Sequence, residues 1–267
     1  MIRREVSDSD GKRWLLIHQK DHARLAGQLA ESWGASVAGL DLRKEMLAAV
    51  YCHDDGWTSW DESPKTDADS GRPLSFSEMP QADSLSIWRE SIRLAAERLG
   101  PLEAFLIAGH FSALLKRFDS WRGDPQRQPR AEAFFGEFSG KMNNWLRQWQ
   151  AAQAASDSRS DAMAATAEKG VLQLQMFDAI SLWLCCSDRY EPHKQSTPFG
   201  FELTLAPAGS GEVTLTPWPL TVNHLGLSVT GRSIPIGRYS DVELRQAVGE
   251  APRETICWEF RREMKRD

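Results

Sequence analysis

The sequence predicts a mainly α protein: a helical body over residues 1–194, and a small antiparallel β-rich portion over 195–267 packed against it. Three observations lead there. Apolar residues recur at three- and four-residue spacing in successive stretches between residues 19 and 187. From about residue 197 that period gives way to strand composition, with Ile256, Trp258 and Phe260 alternating with polar positions. Pro217, Pro219, Pro235 and Gly237 punctuate the same region, and no internal repeat is visible.

Taken in order, Arg13–Ile17 reads as a short strand running into a helix over 19–33. Its apolar face is Leu25, Ala26, Leu29 and Trp33, with His22 on the same face. Asp41 is a candidate cap for a second helix, whose face Leu42, Met46, Ala49 and Val50 carries His53 at its C-terminal end. Residues 55–83 contain Gly56, Pro64, Gly71, Pro73 and Pro80 without helical period, and read as a long loop placed to cover a site. Helices resume over 84–99, over 101–117 after Pro101, over 131–150 and over 168–187. The 101–117 stretch is apolar on more than one side and carries His110, so it is expected to be buried. The Ala/Ser/Asp-rich 151–167 segment reads as a helix extension or a linker.

With 267 residues, 41% hydrophobic and 26% charged, the chain is long enough for one substantial core. The net charge of -5 argues against a nucleic-acid-binding surface. No apolar run is long enough to span a bilayer, so a membrane partner is not expected, and the charged start Met1-Ile2-Arg3-Arg4-Glu5 lacks a signal-peptide core. Cys52, Cys185, Cys186 and Cys257 form neither a disulfide framework nor a thiolate knuckle, so a cytoplasmic location is expected.

The adjacent pair His53-Asp54 carries the functional signal. With His22, His110 and Asp178 it makes five polar groups on the inner faces of expected helices. Each needs a partner if buried, and one or two divalent cations would satisfy all of them. Imidazoles with carboxylates suit Fe, Mn, Ni, Co or Zn. Asp178 shares the stripe of Leu174 and Leu182, whereas Asp188 lies about 80° away around a regular helix, so Asp178 is the expected late ligand. For each histidine alone, a hydrogen-bonded core residue is the simpler reading. His193 and His224 lack companions and are expected to be solvated and structural respectively.

The order His22, His53-Asp54, Asp178 resembles the HD superfamily of metal-dependent hydrolases, in which the first histidine, the His-Asp pair and a late helical aspartate bind the metal. The resemblance implies an HD-domain-like helical bundle. His110 is similar to the extra histidine of HD proteins that hold two metals. Where several HD phosphodiesterases continue with Gly-Lys, this chain has Asp55-Gly56-Trp57, an acid and an indole. The chain also resembles an uncharacterised bacterial family, domain of unknown function 3891. The matching stretches include Ile17–Ala23, His53–Asp61 with Pro64, Gly109-His110-Phe111, Leu174–Leu182 and Gly231–Pro235.

The likeness to family 3891 implies an HD-like helical body and a metal site but no substrate. The likeness to HD proteins implies a metal-dependent hydrolase acting on a small, phosphorylated molecule, with Asp54 or Asp55 accepting a proton from water and His110 assisting. Lys20, Lys65 and Arg72 are candidate phosphate contacts, each with surface charge as the simpler reading. His18, Gln19, Trp57, Trp60 and Asp61 are expected around the ligands, with the two tryptophans excluding water or packing the helix junction and Asp61 orienting a histidine. Two other readings stay open: a di-iron oxygenase, for which His18 is the spare histidine, and a non-catalytic ligand-binding module. The sequence leaves the oligomeric state open.

Overall fold

In the computed structural model, residues 1–8, 11–34, 42–153, 157–186 and 191–262 are described. They divide into two units that share the chain discontinuously: Met1–Ala35, Trp57–Met79 and Phe177–Asp267 form the first, Ser36–Gly56 and Pro80–Met176 the second.

The first unit is built on a seven-stranded sheet. Its strands are β1 (Ile2–Asp8), β2 (Gly11–Ile17), β3 (His193–Ser196), β4 (Glu202–Gly209), β5 (Glu212–Thr216), β6 (His224–Pro235) and β7 (Arg253–Arg261). Their spatial order is β1-β2-β6-β7-β5-β4-β3. All neighbours run antiparallel except β5 and β7, which are parallel, so the sheet is mixed.

This overturns the expectation of an HD-like helical bundle carrying a small antiparallel C-terminal portion. Two of the seven strands come from the N-terminus, and β2 pairs directly with β6 through registers such as Leu16 with Arg232. The N-terminal strand is hidden in the sequence because its core-facing Arg4 is charged. That guanidinium is nonetheless buried and donates to the Leu184 carbonyl at 3.3 Å.

Helix α1 (Gln19–Glu31) packs on β6 with Leu25, Ala26 and Leu29 inward. Helix α8 (Asp241–Glu250) is started by a reciprocal capping box between Ser240 and Glu243. It buries Leu244 and Val248 against Met1, Leu16 and Ile234. The segment after His53 is more ordered than its turn-rich composition suggests. A 3-10 turn over Asp55–Trp57 leads into α3 (Thr58–Glu62), and Thr66 bridges Pro73 beyond it.

The second unit is helical: α2 (Arg43–Cys52), α4 (Gln81–Arg98), α5 (Pro101–Arg117), α6 (Arg127–Ala152) and α7 (Asp157–Cys186) as far as Met176. Helix α5 starts with Pro at its first turn and is buried on most sides, as its all-round apolar sequence requires. Trp88 stacks on Phe111 at 5.0 Å between ring centroids, and Phe134 and Phe138 close the cluster at 4.7 Å. Gly109 on α5 and Gly170 on α7 allow close approach: a Cβ would meet the Val171 side chain at 2.6 Å from the first and that of Leu106 at 2.7 Å from the second. Asp41, the expected cap of α2, lies outside the described residues.

Candidate metal centre

In the first unit the candidate ligands are His22 and Asp178. The chain leaves β2 at Ile17, and His18 takes the N-cap position of α1 in extended conformation without a side-chain cap bond. Asp61, on α3, fills that role instead. One carboxylate oxygen accepts the Gln19 backbone N–H at 2.8 Å, and the other lies 2.8 Å from the Met1 ammonium, all of it buried. The following turn brings His22 inward to 1% exposure.

His22 Nδ1 is 2.8 Å from the Gln19 carbonyl oxygen. A carbonyl only accepts, so Nδ1 carries the proton and the lone pair of the neutral ring sits on Nε2. That nitrogen is 3.0 Å from Oδ1 of Asp178, a buried carboxylate on α7. Two acceptors therefore flank one imidazole. A doubly protonated ring satisfies both, and so does a cation shared by Nε2 and the carboxylate.

In the second unit the candidates are His53, Asp54 and His110. His53 ends α2 and is fully buried, and its Nδ1 is 2.8 Å from the Val50 carbonyl. The same reasoning directs its Nε2 lone pair away from the helix. Asp54 Oδ2 lies 3.6 Å from that nitrogen. Two ligands each about 2.1 Å from a common ion stand about 3.0–3.4 Å apart at octahedral to tetrahedral angles. The 3.0 Å separation falls at the edge of that range and the 3.6 Å one lies just beyond it.

His110, buried on α5, turns its ring edge-on to His53 with centroids 5.3 Å apart, and the two offer ring nitrogens within 4.8 Å of each other. The turn after the pair is pinned to α4. Gly56 N–H donates to the buried Ser91 hydroxyl at 3.0 Å, and a Cβ at Gly56 would stand 2.3 Å from the Ile87 carbonyl oxygen.

The other expected residues are placed as follows. Gln19 and Trp57 are buried, while His18, Asp55 and Trp60 are half-buried. His18 Nδ1 is 3.9 Å from the Asp21 carboxylate. The Lys65 ammonium sits over the Trp60 ring at 5.2 Å, and Arg72 pairs with Glu78 at 2.9 Å on the surface. His224 contacts Glu259 at the surface, and His193 starts β3. Asp188 lies outside the described residues. Burial pushes the Cys185 thiol far up and that of Cys186 up to about 11, and among the described residues the metal-type donor groups hold histidines and aspartates without a cysteine. Sequence reasoning missed the two carbonyl holds at Gln19 and Val50. Their signal is the position three residues before each histidine, where a helix leaves a carbonyl within reach of the ring.

Mixed sheet, helical unit and buried histidine–carboxylate sets define a two-unit α and β protein with metal-type donors. The chain belongs to the family described as "Protein of unknown function (DUF3891)", whose model matches residues 1–236. Comparisons with curated proteins and with solved structures give no match. No described helix is long and apolar enough to cross a membrane.

Proposed function

We propose that this protein is a metal-dependent hydrolase acting on a small phosphoester, and that His22, His53, Asp54 and Asp178 hold its divalent ion. His110 recruits a second ion or meets the leaving group. The reading rests on one repeated device: His22 and His53 each donate Nδ1–H to the backbone carbonyl three residues earlier at 2.8 Å. Such a bond fixes the tautomer and aims Nε2, which is how metal-bound imidazoles are ordinarily held. The order of the donors along the chain, similar to that of HD hydrolases, adds to it.

The nitrogen and oxygen donors fit Mn, Fe, Co, Ni or Zn. When bound, such an ion lowers the pKa of water toward neutrality and polarises a phosphoryl oxygen. The chain's own part is geometric and protolytic. The Gln19 and Val50 carbonyls fix the two imidazoles, and Ser91 with the bare Cα of Gly56 fixes the turn carrying Asp54 and Asp55. Asp54 or Asp55 takes the proton of the attacking water.

Elemental analysis of protein purified without chelators tests this. A bound transition metal is expected, lost in both His22→Ala and His53→Ala, together with phosphomonoesterase or phosphodiesterase activity. Metal retained in both variants would sink the ligand assignment. Iron with a visible absorption band and no hydrolysis would move the reading to an oxygenase. A metal-free protein unaffected by His53→Ala would make it a binding module.

A further inference from the structure

The first unit carries a cleft of about 350 Å³ that the proposed metal ligands do not line. Lys20, Asp21 and Arg24 reach it from α1, Asp61 and Glu62 from α3, Arg232 from β6 and Arg253 from β7. We infer that this cleft binds a small oxyanion, the phosphate or carboxylate group of a ligand, independently of any metal.

Four cationic and three acidic side chains line the cleft, but most of the acids are already engaged. Asp61 is held by the Met1 ammonium and the Gln19 amide. Asp21 is paired with Arg24 at 3.1 Å. Arg232 spends part of its guanidinium on the Gly249 and Ala251 carbonyls, which do not cancel its charge. Lys20, half-buried, and Arg253 make no ion pair with any described residue. Glu62 is the single remaining carboxylate, and it is exposed.

Sheet register sharpens the point. Arg232 and Arg253 stand directly opposite each other in the β6/β7 ladder, a like-charge pair that costs stability. The neighbouring arginine, Arg13, does have a carboxylate, Glu254, at 3.4 Å. An oxyanion in the cleft would relieve the Arg232–Arg253 repulsion and gain charge-assisted hydrogen bonds from guanidinium and ammonium donors. The cavity is of the size that admits a small metabolite rather than a bare ion alone.

Titration of inorganic phosphate into the chelator-stripped full chain, followed by phosphorus NMR line width, tests the inference. Stripping the metal separates this site from the proposed metal centre, so each stands or falls by its own measurement. Saturable binding is expected in the stripped protein. It should weaken roughly tenfold or more in Lys20→Gln and in Arg253→Gln, the loss typical of a charged hydrogen bond. Arg98→Gln, on α4, should leave it unchanged, and melting temperatures report whether the variants fold. Displacement by acetate at similar concentration would assign the site to carboxylates, and resistance to acetate would assign it to phosphates. Absence of saturable binding, or wild-type affinity in both cleft variants, would overturn it.

Discussion

Gly56 stands two residues after the candidate ligand Asp54, where the chain turns against α4. An added methyl group would approach the Ile87 carbonyl oxygen to 2.3 Å and the Ser91 amide nitrogen to 2.5 Å. Both are backbone atoms of a helix and have no rotamer by which to withdraw. Gly56→Ala should therefore cost at least the roughly 1–3 kcal/mol typical of overpacking, read as a lower denaturant midpoint. It should also displace Asp54 and Asp55. If the proposed centre is correct, metal affinity falls in this variant even where the protein still folds. A variant with wild-type stability would show that the turn can step away from α4.

At the scale of elements, α1 is started by a residue far along the chain rather than by its own neighbour. Asp61 accepts the Gln19 amide and neutralises the Met1 ammonium in one buried cluster, and the Gln19 carbonyl in turn holds His22. Replacing Asp61 with Ala removes a helix cap and a carboxylate paired with a buried ammonium. Breaking one partner of a buried pair typically costs about 3–5 kcal/mol, and urea unfolding of Asp61→Ala should show a loss of that order. A loss below about 1 kcal/mol would mean that water already reaches the cluster.

The same elements show what the sequence made legible. Helices with one apolar stripe or an all-round apolar surface, such as α1 and α5, are visible because their period is local. The capping box of α8, Ser240 with Glu243, is likewise local, as is the alternation of Leu225, Leu227 and Val229 along β6. By contrast β1 was not legible from its own residues. Its inward Arg4 is compensated by a carbonyl 180 residues away, and no local pattern reports a bond of that span. The candidate donors stand out by residue type and helix face. The carbonyl holds are local, three residues before each histidine, whereas the Asp61 cap and the Gly56 contact depend on tertiary placement, which residue type alone does not encode.

Over the whole molecule, β7 occupies the middle of the seven-stranded order, antiparallel to β6 on one side and parallel to β5 on the other. The matched family segment ends at residue 236, before α8 and β7. A chain cut there keeps every candidate ligand yet loses the strand that joins β1-β2-β6 to β5-β4-β3. It should lose cooperative unfolding and elute as aggregate on size exclusion, since two unpaired interior edges become templates for association. A monomeric truncation with a single sharp transition would show that the two half-sheets are stable apart.

That central position also sets a timetable. On the ribosome β1 and β2 emerge before the other described strands, and β6, the partner of β2, follows only after about two hundred further residues. Of the described strands, β7 comes last along the chain, and it is the one that must slide between β6 and β5, pairing with both. Until then each half-sheet holds an open edge, and a partly made chain with such edges is the kind of species that associates.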